Sequence, residues 1–147
     1  MSLTRQLDQD MKLALKNKDK NRLSTIRMLK SAIKKEEIDK KRSLNDDEVI
    51  AVIMREVKQR KDSIAQYEKA GRDDLADKEK AEIEVLSAYL PEPMSEEELR
   101  ALVKQVIQEV GAASKADMGK VMGAIIPKVK GRAEGRQVNR IVQEMLG

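Results

Sequence analysis

The sequence predicts an all-α protein, a helical N-terminal domain of about four helices followed by a small three-helix bundle, and three observations predict it. Apolar residues recur at three- and four-residue spacing in one segment after another. The only aromatics among 147 residues are Tyr67 and Tyr89, so the core falls to Leu, Ile, Val, Ala and Met, a set that suits helix bundles better than sheets. Ser, Asp or Asn stands ahead of most of the apolar stretches, where N-caps belong.

Taken in order, Ser2 caps a first helix from Leu3 to about Lys16, with Leu3, Leu7, Met11 and Leu15 on its stripe. A second helix follows Asp19 and carries Leu23, Ile26, Leu29, Ile33 and Ile38. Lys40-Lys41-Arg42-Ser43 reads as a loop. Asn45 with Glu48 three residues on makes a capping-box start for a third helix, whose apolar face is Val49, Val52, Ile53, Val57, Ile64 and Tyr67. Gly71 stands where a C-terminal cap is expected, and Asp73-Asp74 open a fourth helix with Leu75, Ile83, Leu86 and Leu90 as its stripe.

Pro91 and Pro93 stop that helix, since neither can continue it and each restricts the residue before it. The expected organisation is therefore a domain over 1–90, a proline-rich linker over 91–94 and a second domain over 95–147. In the second domain Ser95 and Glu98 suggest another capping box, and Leu99, Leu102, Val103, Val106, Ile107 and Val110 keep helical spacing as far as Gly111. Ser114 and Asp117 start a further helix, with Met118, Val121, Met122, Ile125, Ile126 and Val129 inward and Pro127 bending its last turn. A loop over 131–135 leads to the last helix, with Val138, Ile141, Val142 and Met145 facing the core.

Composition narrows the chemistry. There is no cysteine and no histidine, which removes disulfides, thiolate nucleophiles, imidazole bases and the usual zinc or iron ligand sets. The carboxylates sit among Lys and Arg at helix-surface spacing, as solvated faces do, so no metal site, cofactor or catalytic residue is expected. Charged residues make up 38% of the chain and no apolar run approaches the roughly 18 residues of a bilayer span; the expectation is a cytoplasmic protein with no membrane partner. The net charge of +4 hides three blocks: 13 basic and 6 acidic side chains over 1–42, 10 and 17 over 43–110, 7 and 3 over 111–147. Such blocks allow an acidic middle to lie against basic neighbours, or two basic surfaces to meet a polyanion. Arg27, Lys30, Lys34 and Lys35 give one basic face in the first domain, and Arg55, Lys58, Arg60 and Lys61 another.

The most informative stretch runs from Asp117 to Arg140. Gly119 and Gly123 are four apart on one helix face. Each glycine costs a helix interior roughly 1 kcal/mol against alanine, which points either to tight helix packing or to close approach by a ligand. On a continuous helical wheel Lys120 and Lys130 share the glycine side, Lys128 lies farther round, and Arg132, Arg136 and Arg140 follow on the loop and last helix. These six cations are the candidate phosphate partners, with Gly119, Gly123, Gly131 and Gly135 shaping the backbone's approach. Gly131 also suits an ordinary left-handed helix cap. The lack of aromatic platforms disfavours base stacking, so any RNA contact is expected through phosphate and shape.

The string Ser114-Lys115-Ala116-Asp117-Met118-Gly119-Lys120-Val121-Met122-Gly123, then Gly131-Arg132-Ala133-Glu134-Gly135-Arg136-Gln137-Val138-Asn139, resembles the YqeY-like family. The resemblance runs over the whole chain, including Arg27-Met28-Leu29-Lys30, Arg60-Lys61-Asp62-Ser63 and Tyr89-Leu90-Pro91-Glu92. Residues 96–147 are also similar to the tail domain of tRNA-dependent amidotransferase B subunits, where the family implies a helical module that helps hold tRNA. The chain lacks everything those subunits carry ahead of the tail, so a carbon–nitrogen ligase activity with glutamine as amide donor would be inherited from the larger complex. What the resemblance implies is a noncatalytic, tRNA-associated accessory module. The alternative is a protein-interaction adaptor for an amidotransferase or an aminoacyl-tRNA synthetase.

Overall fold

The computed structural model describes residues 2–147, and among them are seven α-helices, two short 3-10 turns and no strand. The chain divides into two compact units, Met1–Leu90 and Pro91–Gly147.

The first unit holds α1 (Leu3–Lys16), α2 (Lys20–Lys40), α3 (Asp46–Lys69) and α4 (Asp73–Ser87). Three starts are fixed by side chains that accept from otherwise unsatisfied N–H groups: Ser2 from Arg5, Asp19 from Arg22, and Asn45 from Glu48. At α3 the capping box is complete, because the Glu48 carboxylate also accepts from the Asn45 N–H at 3.1 Å. Each such cap is worth about 1 kcal/mol. Leu7, Ile26, Leu29, Ile33, Val49, Val52, Ile53, Val57 and Leu86 form the core, joined by Tyr89 just beyond α4.

Two expected stripe residues face water, Leu15 at 59% and Ile38 at 65% exposure. An i+4 ladder gains about 40° per step on a helix of 3.6 residues per turn. Eight residues after Leu7 it has therefore walked off the interface, and Ala14, seven after Leu7, takes the inward place.

The basic face expected around Arg55, Lys58, Arg60 and Lys61 is not a face. Arg60 is buried between α3 and α4, its Nε 3.1 Å from Glu82 and its Nη1 donating to the Glu56 carbonyl and carboxylate at 3.1 and 3.3 Å. Arg55 pairs with Glu36 at 3.6 Å. Burial, with Glu82 beside it, raises the Glu79 carboxyl above its ordinary value. The Tyr89 hydroxyl donates to Asp10 at 2.5 Å, and burial followed by this carboxylate holds the phenol well above its usual range.

The second unit holds α5 (Glu96–Val110), α6 (Met118–Ile125) and α7 (Gly135–Leu146), each packed on the other two. Leu99, Val103, Val106, Val121, Ile125, Val129, Val138, Ile141 and Val142 make its core. The helix expected from Ser114 to Val129 is broken into a 3-10 turn over Lys115–Asp117, α6, and a second 3-10 turn over Ile126–Lys128. Pro127 supplies no N–H to an α-helical ladder, and the chain tightens around it. Gly111 closes α5 with a φ of +69°, a conformation side-chain-bearing residues resist.

Candidate functional site

The candidate site is built on α6 and the turns on either side of it. Asp117 fixes the entry. Its carboxylate accepts from the Ala113 and Ser114 N–H groups at 2.9 and 3.4 Å, and these two hydrogen bonds lower its pKa. The Ser114 hydroxyl answers by accepting from Ala116, so the chain enters α6 through a closed box.

Gly119 and Gly123 are exposed, and a Cβ on either would meet nothing within 4 Å. Tight helix packing is therefore not why glycine stands there. α6 thus presents a smooth strip to solvent, and Ile126, 42% exposed, follows it in the 3-10 turn. Lys120 lies beside that strip, exposed, making no ion pair among the described residues but near enough to Asp117 to add to the lowering of that carboxyl; Lys115 and Lys130 are exposed and likewise make no ion pair among the described residues.

The continuous wheel stops at Ile125. Past that point the 3-10 turn resets the rotation, so it no longer assigns Lys128 and Lys130 to a side. Lys128 pairs with Glu109 at 3.3 Å. With a hydrogen bond from Gln105 foremost and Lys128 next, this environment lowers the Glu109 pKa.

Arg132 is a clasp within its own unit. Its Nη2 lies 3.0 Å from both Glu98 oxygens, its Nε donates to the Glu92 carbonyl at 2.8 Å, and its own carbonyl accepts from the Met94 N–H at 2.9 Å. The segment over 91–94 is thus tied down rather than loose. It also explains why Ser95 and Glu98 form only half of the expected capping box: Ser95 accepts from the Glu98 N–H, but the Glu98 carboxylate is turned to Arg132. Gly131 is buried with a φ of +76°, a cap geometry that lets Arg132 and Ala133 both donate to the Val129 carbonyl.

Arg140 belongs to a surface network, 3.2 Å from both Glu144 and Glu96, with Arg100 2.6 Å from Glu144. Arg100 first, then Arg140, depresses the Glu144 pKa. Gly135 and Arg136 are exposed in the first turn of α7. Among the six predicted cations, then, Lys120 and Lys130 make no ion pair among the described residues, while Lys128, Arg132 and Arg140 hold acidic partners on α5. Sequence reading missed those partners because Glu109, Glu98 and Glu96 are 19, 34 and 44 residues away from the cations they meet. No cluster of three metal-ligating side chains occurs among the described residues, and no helix is long and apolar enough to cross a membrane.

The fold defines a small all-α protein of two helical units, the second carrying an open glycine strip. The Yqey-like protein family matches residues 4–146, and the chain belongs to that family. Among its relatives, Altered inheritance of mitochondria protein 41, mitochondrial, from Pyrenophora tritici-repentis is 32% identical over 96% of this chain and 79% of its own length. Proteins of the same name from Kluyveromyces lactis and Vanderwaltozyma polyspora are 42% and 40% identical over 71% and 57% of this chain. The chain spans only 58% and 46% of those two relatives. These names correct the expected cytoplasmic location, since the relatives are called mitochondrial. Composition had no power to decide it: a charged helical protein without cysteine carries no redox mark that tells one compartment from another.

Proposed function

We propose that the protein is a noncatalytic accessory module whose C-terminal unit holds an RNA backbone, tRNA being the class to test. The observation that carries this is the open Gly119–Gly123 strip with the exposed Lys120, held in no ion pair among the described residues, beside it. A bare helix face costs stability and is not used for packing, so an outside contact is the economical reason to keep it. Lys120 and Lys130 are the first phosphate partners. Lys128, Arg136 and Arg140, all exposed, add to the field and contribute once phosphate replaces their present partners, because surface pairs are held by only about 0–1 kcal/mol. Arg132 shapes the turn that carries them. The amidotransferase connection enters through the resemblance of residues 96–147 to the B-subunit tail, and an amidotransferase or synthetase is the corresponding protein partner.

The test is a filter-binding titration with total tRNA at two salt concentrations. Replacing Lys120 and Lys130 by alanine is expected to weaken binding and to reduce the slope of log affinity against log salt by about two phosphate contacts. An unchanged slope would discard the assignment. Binding of a protein partner that survives nuclease treatment and is lost on Ile126→Glu would favour the adaptor reading instead.

A further inference from the structure

Folding accounts for little of the outer face of α2, in the first unit, where Met28 keeps its sulfur 4.0 Å from Arg60 Nη2 and the rest of its side chain turns outward. The core uses Thr25, Ile26, Leu29 and Ile33. On the opposite side Ser24, Met28, Ser31, Lys35 and Ile38 follow one another at intervals of four, three, four and three, the spacing of a heptad seam. All five are exposed, Met28 at 40% and Ile38 at 65%. Along one edge Lys20, Arg27 and Lys34 recur every seven residues, about 10 Å apart on the helix.

Two shallow hollows lie along this face and meet at Ser31, where the side chain is small. None of Lys20, Arg27, Lys34 and Lys35 has an ion-pair partner among the described residues. The neighbouring acids are already engaged: Asp8 with Lys30, Glu36 with Lys40 and Arg55, and Glu37 with the Leu44 N–H. Only Asp39, at the C-terminal end, puts a negative charge on the strip.

We infer that this face docks an acidic amphipathic helix from a partner protein, about three heptads long. Its apolar residues would cover Met28 and Ile38, pass close over Ser24 and Ser31, and set Glu or Asp against the Lys20–Arg27–Lys34 edge. The helical partner is favoured by the seam itself. A phosphate backbone would use the cations but leave Ile38 and the exposed part of Met28 in water, whereas serines and apolar residues at four- and three-residue spacing, with the apolar stem of Lys35 between Ser31 and Ile38, are what a second helix packs into. Charge complementarity at the edge positions sets the sign of the partner.

Fluorescence anisotropy with the full chain tests this, using a 21-residue helical peptide with Leu at its seam and Glu at its flanking positions, beside a twin carrying Lys for Glu. The Glu peptide is expected to bind saturably and the Lys twin not to. The double variant Arg27→Glu, Lys34→Glu is expected to lose about tenfold in affinity, while Lys12→Glu, Lys58→Glu, with the same change in net charge at exposed sites elsewhere, keeps it. Equal loss in both variants, or no preference for the Glu peptide, overturns the inference. So does binding of phosphatidylserine vesicles or duplex RNA that disappears in the first variant while the peptide is ignored.

Discussion

Arg132 meets Glu98 through one guanidinium nitrogen placed 3.0 Å from each carboxylate oxygen, and the same side chain reaches the Glu92 carbonyl. One residue thereby joins the turn before α7, the first turn of α5 and the proline segment. Replacing it by alanine is expected to destabilise the C-terminal unit by roughly 1 kcal/mol, the upper range for a part-exposed pair. Lysine, which has no planar fork, should not restore that loss. Denaturant midpoints at constant m-value measure both changes.

Stability and binding should part company at Gly123. Its Cβ position is open and its backbone is helical, so Gly123→Ala is expected to stabilise the unit by about 0.5–1 kcal/mol through the unfolded chain. If the strip is a contact surface, the same change weakens tRNA binding. A variant that melts higher and binds equally well would remove the glycine strip from the site.

Two positions of left-handed backbone make opposite predictions. Lys41 ends α2 at a φ of +57°, and Lys41→Gly is expected to raise the melting temperature, by about 0.5–1 kcal/mol of stability. At Gly111, φ +69°, alanine should lower it by about 1 kcal/mol. Thermal melts of the two variants against the parent protein settle the pair.

Burial makes Arg60 the most sensitive charge in the first unit. Arg60→Met leaves Glu56, Glu79 and Glu82 without the cation they share and is expected to cost about 3–5 kcal/mol. Combining it with Glu82→Leu should recover part of that loss, because the stranded charge goes with it. A double variant no more stable than Arg60→Met would contradict this account.

Acid should act through Glu48. Hydrogen bonds from Arg42, then Lys40, then the Asn45 N–H hold its carboxyl far below the ordinary carboxylate value. A depressed folded pKa contributes stability that is present above the unfolded value, near 4.5, and is lost as pH falls through the folded one. Melting temperature measured from pH 7 to pH 2 is expected to fall less steeply in Glu48→Gln than in the parent, with the two curves converging at the acid end.

How much of this was legible in the sequence depends on distance along the chain. The caps at Ser2, Asp19 and Asn45 act within three or four residues, and helix starts could be placed from them. The same holds for the apolar rhythm of α3 and α5. Leu15 falls off its stripe because an i+4 ladder accumulates rotation, and Ile38 because it stands five residues after Ile33, a step that carries it to the far side of the helix. Arg60 looked like a surface cation because its burial depends on Glu82, 22 residues away on α4. At the candidate site the glycine strip was visible as spacing. Its openness was not, since whether a helix face is covered is a property of the other helices.

The proline segment has a practical consequence for dissecting the chain. A fragment begun at Ser95 would preserve α5, α6 and α7 and still remove the Glu92 carbonyl and the Met94 N–H, stranding two groups of Arg132 that now have partners. Begun at Pro91, it keeps both. The border between the two compact units falls ahead of Pro91, and peptides cut to match the helices alone would be blamed for a weakness they acquired at the scissors.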